Sequence, residues 1–387
     1  VPAAATAGGV IVTTDGPGGR SLLERHQDEW RHTFLAADNE PSTSFEWTAA
    51  LCRSHVADDE PLHVWRVQRD ATPVAFLAVT TRQTVVLRRP ITLLTPVGEH
   101  YGTHSSIAAS ERSPDVADAL VATVLAQRPR WDLFRMATLL EDDAWLPLLD
   151  AALRRRRVPF SVRDNYPSYL LPLPDSFDAY LAARSSKFRN HLKRTVRKVE
   201  ALGAVEVTDS GREPVAALLA EMLDVERRSW KQAHGSAISA VPRQGLFFDE
   251  LARLAGTPSP LHVQVLRLDG RPVAHNLGYR RGDTYYYLKT SFDDEYRTAG
   301  VSTYLRAKLF AALIAGGVRT IDFPAEPYEW ERQWADRVRW HKSLVVYGPT
   351  LSGRALRLID AVRHRRAPAR RLTYWDPREQ RPVADAD

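Results

Sequence analysis

Two stretches of this chain repeat the same residues in the same order, 199 residues apart. Residues 62–64 and 261–263 both read Leu-His-Val, and residues 73–75 and 272–274 both read Pro-Val-Ala. In each copy, apolar and polar residues alternate as in a strand, and a turn then leads into a second strand. The turn of the second copy contains Asp269-Gly270, a pair typical of hairpins. The repeat therefore predicts one α/β unit that the chain uses twice.

Helical and strand-like patterns surround each predicted hairpin. A third strand follows at residues 84–87 in the first copy and at residues 284–287 in the second. Helices are predicted at residues 21–35, 114–126, 142–156, 186–202, 214–233, 303–315 and 328–335, and further strands at residues 131–136, 318–323 and 343–347. The predicted fold class is α/β (α+β), with two tandem units that are each a mixed, mostly antiparallel sheet flanked by helices.

The length of 387 residues favours two domains. Pro167, Pro172 and Pro174 interrupt the pattern between the two copies. The predicted organisation is a flexible tail at 1–20, a first domain at 21–168, a second domain at 169–360 and a basic, loosely ordered tail at 361–387.

Composition narrows the class of protein. With 44% hydrophobic and 26% charged residues the chain reads as globular, and no apolar run approaches the roughly 18 residues that span a bilayer. Residues 1–9 lack the basic and apolar regions of a signal peptide. Cys52 is the only cysteine, which excludes an internal disulfide and a cysteine-cluster metal site. We expect a cytoplasmic protein without membrane or metal, of undetermined oligomeric state.

The net charge of +6 admits anionic partners such as a nucleotide cofactor, a sugar phosphate or RNA. One loop has the pattern of a phosphate site, because it joins the third strand of the second copy to a predicted helix. Backbone N–H groups at a helix start attract anions, Gly300 permits close approach, and Arg297 adds charge. The predicted cofactor-binding residues are Arg297, Thr298, Ala299, Gly300, Val301 and Ser302. The first copy has no such loop, so it is predicted to be a degenerate partner that shapes the acceptor pocket.

This order of elements resembles that of the GNAT superfamily of N-acyltransferases, and more closely the tandem CelD-like acetyltransferase-domain proteins. The matching pieces are residues 45–47, 185–194, 269–274, 322–323 and 330–334. In that superfamily an Arg/Gln-x-x-Gly-x-Gly/Ala loop binds the pyrophosphate of acyl-CoA. The resemblance therefore implies acyl-CoA, most simply acetyl-CoA, as co-substrate at residues 297–302, with Ser302 in place of the usual Gly or Ala.

One departure from relatives concerns the acceptor. Where they often carry a Tyr-Lys pair, this chain has Trp330-Glu331. A positive charge has become negative, which favours an amine or aminosugar over an anionic acceptor. Other predicted substrate-binding residues are Tyr101 and His104 in a polar loop of the first copy, with Tyr287 and Lys289 on the third strand of the second copy.

An N-acyl transfer needs a deprotonated amine, a polarised carbonyl and a protonated leaving thiolate. His275, with an ordinary pKa near ~6.5, suits a general base. Asp322 and Glu326 flank the end of the strand after the cofactor helix, and either carboxylate is an alternative base through water. Tyr328 is a candidate proton donor. His275 fits a packed strand histidine equally well, so the identity of the base stays open.

The sequence predicts an N-acyltransferase, most simply an N-acetyltransferase, that moves an acyl group from acyl-CoA to a primary amine of a small molecule or aminosugar. One alternative is a Fem-type aminoacyltransferase, which transfers an amino acid from aminoacyl-tRNA on the same tandem fold. Residues 184–198 hold seven Lys and Arg and no acid, which suits either a solvated helix face or contact with RNA. A second alternative is a non-catalytic binder of an anionic polymer.

Overall fold

The computed structural model describes residues 5–7, 9–18, 21–57, 59–98, 104–128, 130–235, 237–256, 259–325 and 328–366. The strands are β1 Ala5–Ala7, β2 Val10–Gly18, β3 Leu62–Arg69, β4 Thr72–Val86, β5 Arg89–Pro96, β6 Ala108–Ala109, β7 Leu133–Leu140, β8 Phe160–Pro172, β9 Val205–Asp209, β10 Leu261–Leu268, β11 Arg271–Arg281, β12 Thr284–Phe292, β13 Thr320–Phe323 and β14 Arg337–Tyr347. The α-helices are α1 Ser21–Glu24, α2 Gln27–Leu35, α3 Phe45–His55, α4 Pro114–Ala126, α5 Trp145–Arg155, α6 Phe177–Ala182, α7 Ser186–Glu200, α8 Val215–Arg227, α9 Trp230–Ala233, α10 Pro242–Leu254, α11 Val301–Ala315 and α12 Leu351–Arg366.

The chain divides into two compact units. Unit 1 takes the described residues up to Pro167 and from Arg339 onward, and unit 2 takes residues 168–338. In unit 1 the strand order is β1-β2-β3-β4-β5-β7-β14, with β6 beside β4. Its core forms between this sheet and α4 and α5, around the fully buried Trp65, Trp131 and Trp145.

Unit 2 has the strand order β8-β13-β12-β11-β10-β9. Its core packs α11 against the sheet, around Tyr285, Phe310 and Phe323. Helix α11 is apolar on nearly all sides, which is typical of a helix covered on most of its surface. Helix α8 lies against β10 and β11.

The internal duplication is confirmed at the level of strand register. Both hairpins, β3–β4 and β10–β11, turn through two residues of positive φ, Asp70-Ala71 in the first and Asp269-Gly270 in the second. Both also carry a register shift at the same place, between Val67 and Gln68 and between Leu266 and Arg267. Each unit then continues through a third antiparallel strand and a helix to a parallel strand. The predicted fold class is therefore correct.

In unit 2, strand β12 is longer than the part of it that pairs with the parallel strand β13. It pairs with β13 only from Thr284 to Tyr286, although it runs on to Phe292 beside β11. A register shift makes Leu288 an extra residue on β12, because Leu277 pairs with Lys289 and Gly278 with Tyr287. Such a bulge reverses the alternation of side chains. Consequently Tyr287 and Thr290 both contact residues of α11, whereas Lys289 contacts α10.

The segments at the predicted domain edges differ from the sequence-based boundaries. Residues 1–20 were predicted as a tail, but Val10–Gly18 is a strand that pairs with β3. The second domain was predicted to extend to 360, yet β14 pairs with β7 of unit 1. The predicted C-terminal tail begins inside α12, which ends at Arg366, and residues 367–387 lie outside the described residues. These differences arise from pairings between distant segments, which local patterns do not reveal.

Candidate functional site

Helix α11 begins at the predicted phosphate loop without a side-chain cap. Its N-cap is Gly300, with φ 80° and ψ 30°, a left-handed conformation that favours glycine. The preceding residues, Asp294–Ala299, form a 3₁₀ turn that holds Arg297 and Thr298 beside the helix start. Glycine has no oxygen to satisfy the first N–H groups of the helix, so they stay available to an anion. The local structure thus matches a phosphate cradle.

Helix α7 forms one wall of this loop. A Cβ atom on Gly300 would lie 2.8 Å from Cγ2 of Thr195, and Lys198 Nζ donates to the carbonyl oxygen of Thr298 at 2.5 Å. Arg297 is exposed and donates to the Asp294 carboxylate at 3.0 Å. A phosphate bound at this loop would therefore have Lys198 on one side and Arg297 on the other. It would compete with the Asp294 carboxylate for the Arg297 guanidinium.

The corresponding helix of unit 1 is closed to anions. Helix α4 begins with Pro114, which has no N–H group, and Ser113 Oγ accepts a hydrogen bond from the N–H of Val116. Ser113 itself donates to the Glu111 carboxylate at 2.6 Å, and Arg69 pairs with the same carboxylate, so an acidic side chain already occupies the helix start. The two units share their strand order but differ in the chemistry of this helix terminus.

A buried ionic cluster lies on the side of β12 that faces α8 and α10. The Glu226 carboxylate is 3.6 Å from His275 Nε2 and 3.5 Å from Lys231 Nζ. Lys231 donates to the Thr290 carbonyl oxygen at 2.6 Å, and Lys289 Nζ donates to Gln244 Oε1 at 3.1 Å. Beyond Tyr286, β12 has no partner strand on its β13 side among the described residues. The cluster therefore adjoins the unpaired part of β12.

Burial and neighbouring charge shift the pKa values of this cluster. Burial lowers the pKa of His275, which has no exposed surface, against the opposing effect of Glu226. Burial alone would raise the pKa of Glu226, but its contacts with His275 and Lys231 hold it well below the usual range. Burial and the charge of Lys231 lower the pKa of Lys289 to about 8. Glu226 is thus ionised and His275 neutral near pH 7, while Lys289 titrates close to neutrality.

A second polar cluster lies on the α11 side of β12 and is built around Arg306. This guanidinium is 3% exposed, and its Cζ atom lies 3.6 Å from the centroid of the Trp330 ring. Its Nε donates to the Tyr287 hydroxyl at 3.4 Å, and Nη2 donates to Ser302 Oγ at 3.1 Å. Tyr287 in turn donates to Asn276 Oδ1 at 2.5 Å. The chain of contacts links the third strand to the helix start.

The segment after β13 carries the remaining predicted site residues of unit 2. Asp322 is buried near the end of β13, and Tyr328 is 48% exposed. Glu331 is buried and accepts a hydrogen bond from the Tyr328 N–H at 3.2 Å. Burial raises the pKa of Glu331 to about 8, so this carboxyl group is mostly protonated at pH 7. Glu326 lies outside the described residues.

The two residues predicted from the first copy belong to unit 1. His104 is buried and lines a cavity with Ser42, Ser105 and Thr138, at the end of β5 and β7. Arg339 donates to His104 Nε2 at 3.3 Å. Tyr101 lies outside the described residues. Unit 2 therefore collects most of the predicted residues, and His104 has its own surroundings in unit 1.

Three residues of these clusters went unnoticed in the sequence, namely Glu226, Lys231 and Arg306. Arg306 lies in a helix whose other buried positions are apolar, so nothing in the local pattern marks its charge as buried. Glu226 and Lys231 sit at helix ends where charged residues are common. The usable signal was spacing, since Arg306 follows Ser302 by four residues and thus shares its face of the helix.

The basic residues of α7 lie on its solvent side. Lys187, Arg189, Lys193, Arg194 and Arg197 are exposed, and within the described residues none forms an ion pair. The buried stripe of the helix is Leu192, Thr195 and Val199. The predicted solvated face is therefore present, and it belongs to the same helix that contacts the loop at Gly300. No helix among the described residues is long and apolar enough to cross a bilayer.

Sequence and structure comparisons agree on the fold. Residues 186–332 match the family model described as the acetyltransferase (GNAT) domain. No curated protein sequence matches the chain. Among solved structures, FemX has a TM-score of 0.56 at 12% identity, covering 90% of this chain and 99% of that chain. The C-terminal domain assigned to a lysylphosphatidylglycerol synthetase of Agrobacterium fabrum has a TM-score of 0.51 at 13% identity, covering 89% and 97%.

Glu331 makes the stability of unit 2 depend on pH. Its pKa of about 8 exceeds the ordinary value of 4.5, so the folded chain holds an extra proton between these values, and stability is lost as pH rises through about 8. Glu331→Gln removes this loss. Relative to wild type, we expect little change in the free energy of unfolding below about pH 4.5 and a gain of up to about 5 kcal/mol above about pH 8, measured by urea unfolding. Equal pH profiles for both proteins would contradict the burial of this carboxyl group.

Proposed function

We propose that this chain, of which residues 186–332 match the acetyltransferase (GNAT) domain, transfers an acyl group from acyl-CoA, with acetyl-CoA as the expected donor, to a primary amine of a small molecule or aminosugar. The observation that carries this proposal is the uncapped start of α11 beside the unpaired part of β12. The helix start suits a diphosphate, and a strand edge without a partner has backbone N–H groups to offer an acyl carbonyl. Both requirements of a thioester donor are met within unit 2.

Within this proposal, residues 297–302 hold the diphosphate of the donor, and acyl-CoA supplies an activated thioester when it is bound. Arg297 is free to exchange its exposed contact with Asp294 for a phosphate oxygen. Unit 1 has a capped helix at the equivalent place, which supports one donor site per chain. The chemistry left to the protein is the orientation of the amine and the movement of protons.

We assign the proton acceptor for the amine to Lys289 in preference to His275. Lys289 is half-buried next to the bulge of β12, and its lowered pKa of about 8 lies near the operating range of a general base. His275 has no exposed surface and lies against Glu226, which suits a residue that holds the cluster in place. Asp322 and Glu326 remain the alternative carboxylate bases. Tyr328, the most exposed of the predicted residues here, is the candidate donor to the leaving thiolate.

A second candidate function is supported by the surface of α7. Its exposed basic residues lie on the helix that contacts the Gly300 loop, and the fold is shared with FemX. A Fem-type enzyme would use such a surface to bind the phosphates of an aminoacyl-tRNA donor. The uncapped helix start favours acyl-CoA as the first choice. A non-catalytic binder of anionic polymer would need neither the start of α11 nor Lys289.

The donor site is tested at Gly300. Gly300→Glu adds a negative charge to the loop, and its Cβ would press on Thr195 of α7 and displace the loop, so CoA binding should fall at least 100-fold in isothermal titration. Gly317→Glu is the control for the added charge and the positive φ, because Gly317 follows the other end of α11, has φ 79° and has open space where a Cβ would lie. Wild type and control should bind one CoA per chain. Unchanged CoA affinity in a folded Gly300→Glu protein refutes the donor site.

The base is tested by pH. Lys289 must lose its proton to act, so turnover should rise with pH through about 8 and level off above it. Lys289→Met should remove this dependence and lower kcat by about 10²-fold, whereas His275→Ala should chiefly lower thermal stability. Glu331→Gln serves as the control, because a retained pH dependence excludes Glu331 as its source. Full activity in Lys289→Met, with a loss of about 10²-fold in His275→Ala, Asp322→Asn or Glu326→Gln, would move the role to that residue.

The basic residues of α7 distinguish acyl-CoA from aminoacyl-tRNA as the donor. Arg189, Lys193 and Arg197 recur every four residues and form one exposed row. With all three changed to Gln, turnover of acyl-CoA should stay within about 3-fold of wild type. If tRNA phosphates occupy this row, wild type should instead shift tRNA in a gel with steep salt dependence, and the triple variant should lose that shift. This second result would establish the aminoacyl-tRNA alternative.

A further inference from the structure

Arg306 is a buried cation without an acidic partner among the described residues. Its contacts there are two hydroxyl groups and two indole rings, and no carboxylate oxygen lies within 4.0 Å of the guanidinium in that part of the chain. Arg184, whose side chain is 10% exposed, shows the usual arrangement, because it pairs with Asp336. A guanidinium shielded from water and left unpaired costs several kcal/mol. The destabilising buried charge lies on the side of β12 where the proposed reaction takes place.

Two acids of the segment after β13 are already engaged or neutral. Asp336 is taken by Arg184, and Glu331 accepts its hydrogen bond from the Tyr328 N–H. Burial raises the pKa of Glu331 to about 8 against the opposing charge of Arg306, so this carboxyl group is mostly protonated at pH 7 and offsets little of that charge. The remaining partners, Tyr287 and Ser302, are neutral hydroxyl groups. The cluster as a whole therefore has a net positive charge.

Three features of this cluster fit a small planar anion better than a phosphate. The Trp330 ring covers one face of the guanidinium at 3.6 Å, and Nε and Nη2 each donate to a hydroxyl group, which leaves the edge formed by Nη1 and the second N–H of Nη2 as the binding surface. Arginine binds carboxylates through that edge with two parallel hydrogen bonds. Arg306 also lies one turn into α11, beyond the free N–H groups at Gly300 that suit a diphosphate. A second anionic group of the substrate therefore has its own binding residue.

We propose that Arg306, held by Tyr287, Ser302 and Trp330, binds a carboxylate carried by one of the two substrates. This inference rests on the proposed acyl transfer and specifies its substrate class. Tyr287 directly precedes the bulge of β12, so a carboxylate at Arg306 lies near the unpaired strand edge assigned to the acyl carbonyl. The carboxylate then belongs either to the acyl chain, as in a dicarboxylic acyl-CoA, or to an amino-acid-like acceptor.

Matched substrate pairs separate these two sources. Succinyl-CoA against acetyl-CoA tests a carboxylate on the donor, and β-alanine against propylamine tests a carboxylate on the acceptor. Wild type should prefer the carboxylate-bearing member of one pair by at least 10-fold in kcat/KM, and Arg306→Gln should reduce that ratio to about 1. Arg306→Lys keeps the charge but not the fork or the stacking, so it should restore the preference only in part. Arg332→Gln, an exposed arginine paired with Glu329, is the control and should keep the preference.

Succinate binding tests the Arg306 site without any measurement of turnover. Succinate should raise the melting temperature of wild type and of Arg332→Gln, but not that of Arg306→Gln, with circular dichroism confirming that each variant folds. If Arg306→Gln does not fold, the comparison passes to Arg306→Lys, which should bind succinate at least 10-fold more weakly. Succinate binding that is equal in all variants overturns the proposal.

Two further outcomes distinguish a failure of the carboxylate site at Arg306 from a failure of the proposed acyl transfer. Equal kcat/KM within both substrate pairs, with acyl-CoA turnover intact, overturns the role of Arg306 and leaves the proposed acyl transfer standing. Absence of CoA binding overturns the acyl transfer, while succinate stabilisation still reports on Arg306. Glu326 lies outside the described residues, and Glu326→Gln tests it directly: succinate binding that appears only in this variant would mean that Glu326 is the partner of Arg306, which overturns the proposal.

Discussion

Strand β12 pairs with β13 over three residues only, and the candidate site depends on this short parallel pairing. A parallel connection needs a crossover helix, so α11 must begin close to the end of β12. The same geometry leaves the rest of β12 without a partner on one side and brings a helix N-terminus beside it. The bulge at Leu288 then directs Tyr287 towards α11 and Lys289 towards α10. One strand thereby serves two polar clusters on opposite faces.

The two clusters differ in how their charge is balanced. Around Lys289, the ionised Glu226 offsets part of the positive charge, and His275 stays neutral because it is buried. Around Arg306 no described carboxylate does so, and Glu331 holds a proton. Buried ionisable groups reduce stability unless they are paired, so their concentration on both faces of β12 marks this region as a candidate for function. Elsewhere in unit 2, Arg267 is surrounded by acids in the ordinary way.

The comparison of the units shows how little must change for a fold to gain or lose such a site. Both units keep the same hairpin turn, the same register shift and the same parallel crossover. Helix α4 of unit 1, however, begins with Ser113 and Pro114, whereas α11 begins after Gly300. A hydroxyl cap and a missing N–H group are enough to fill the position that an anion would take. The proposed donor site thus depends on a few residues of a repeated scaffold.

The sequence by itself determined the features that depend on neighbouring residues: the duplicated hairpins, the Asp269-Gly270 turn, the Gly300 loop and the order of elements that resembles the GNAT superfamily. Turns and helix starts depend on residues that are neighbours in sequence, so the sequence alone predicts them. Only the tertiary structure decided that β14 joins unit 1, that His275 is enclosed beside Glu226, and that Arg306 is buried against Trp330. These facts depend on contacts between residues far apart in the chain, and the burial of a charge follows from packing that no local pattern records.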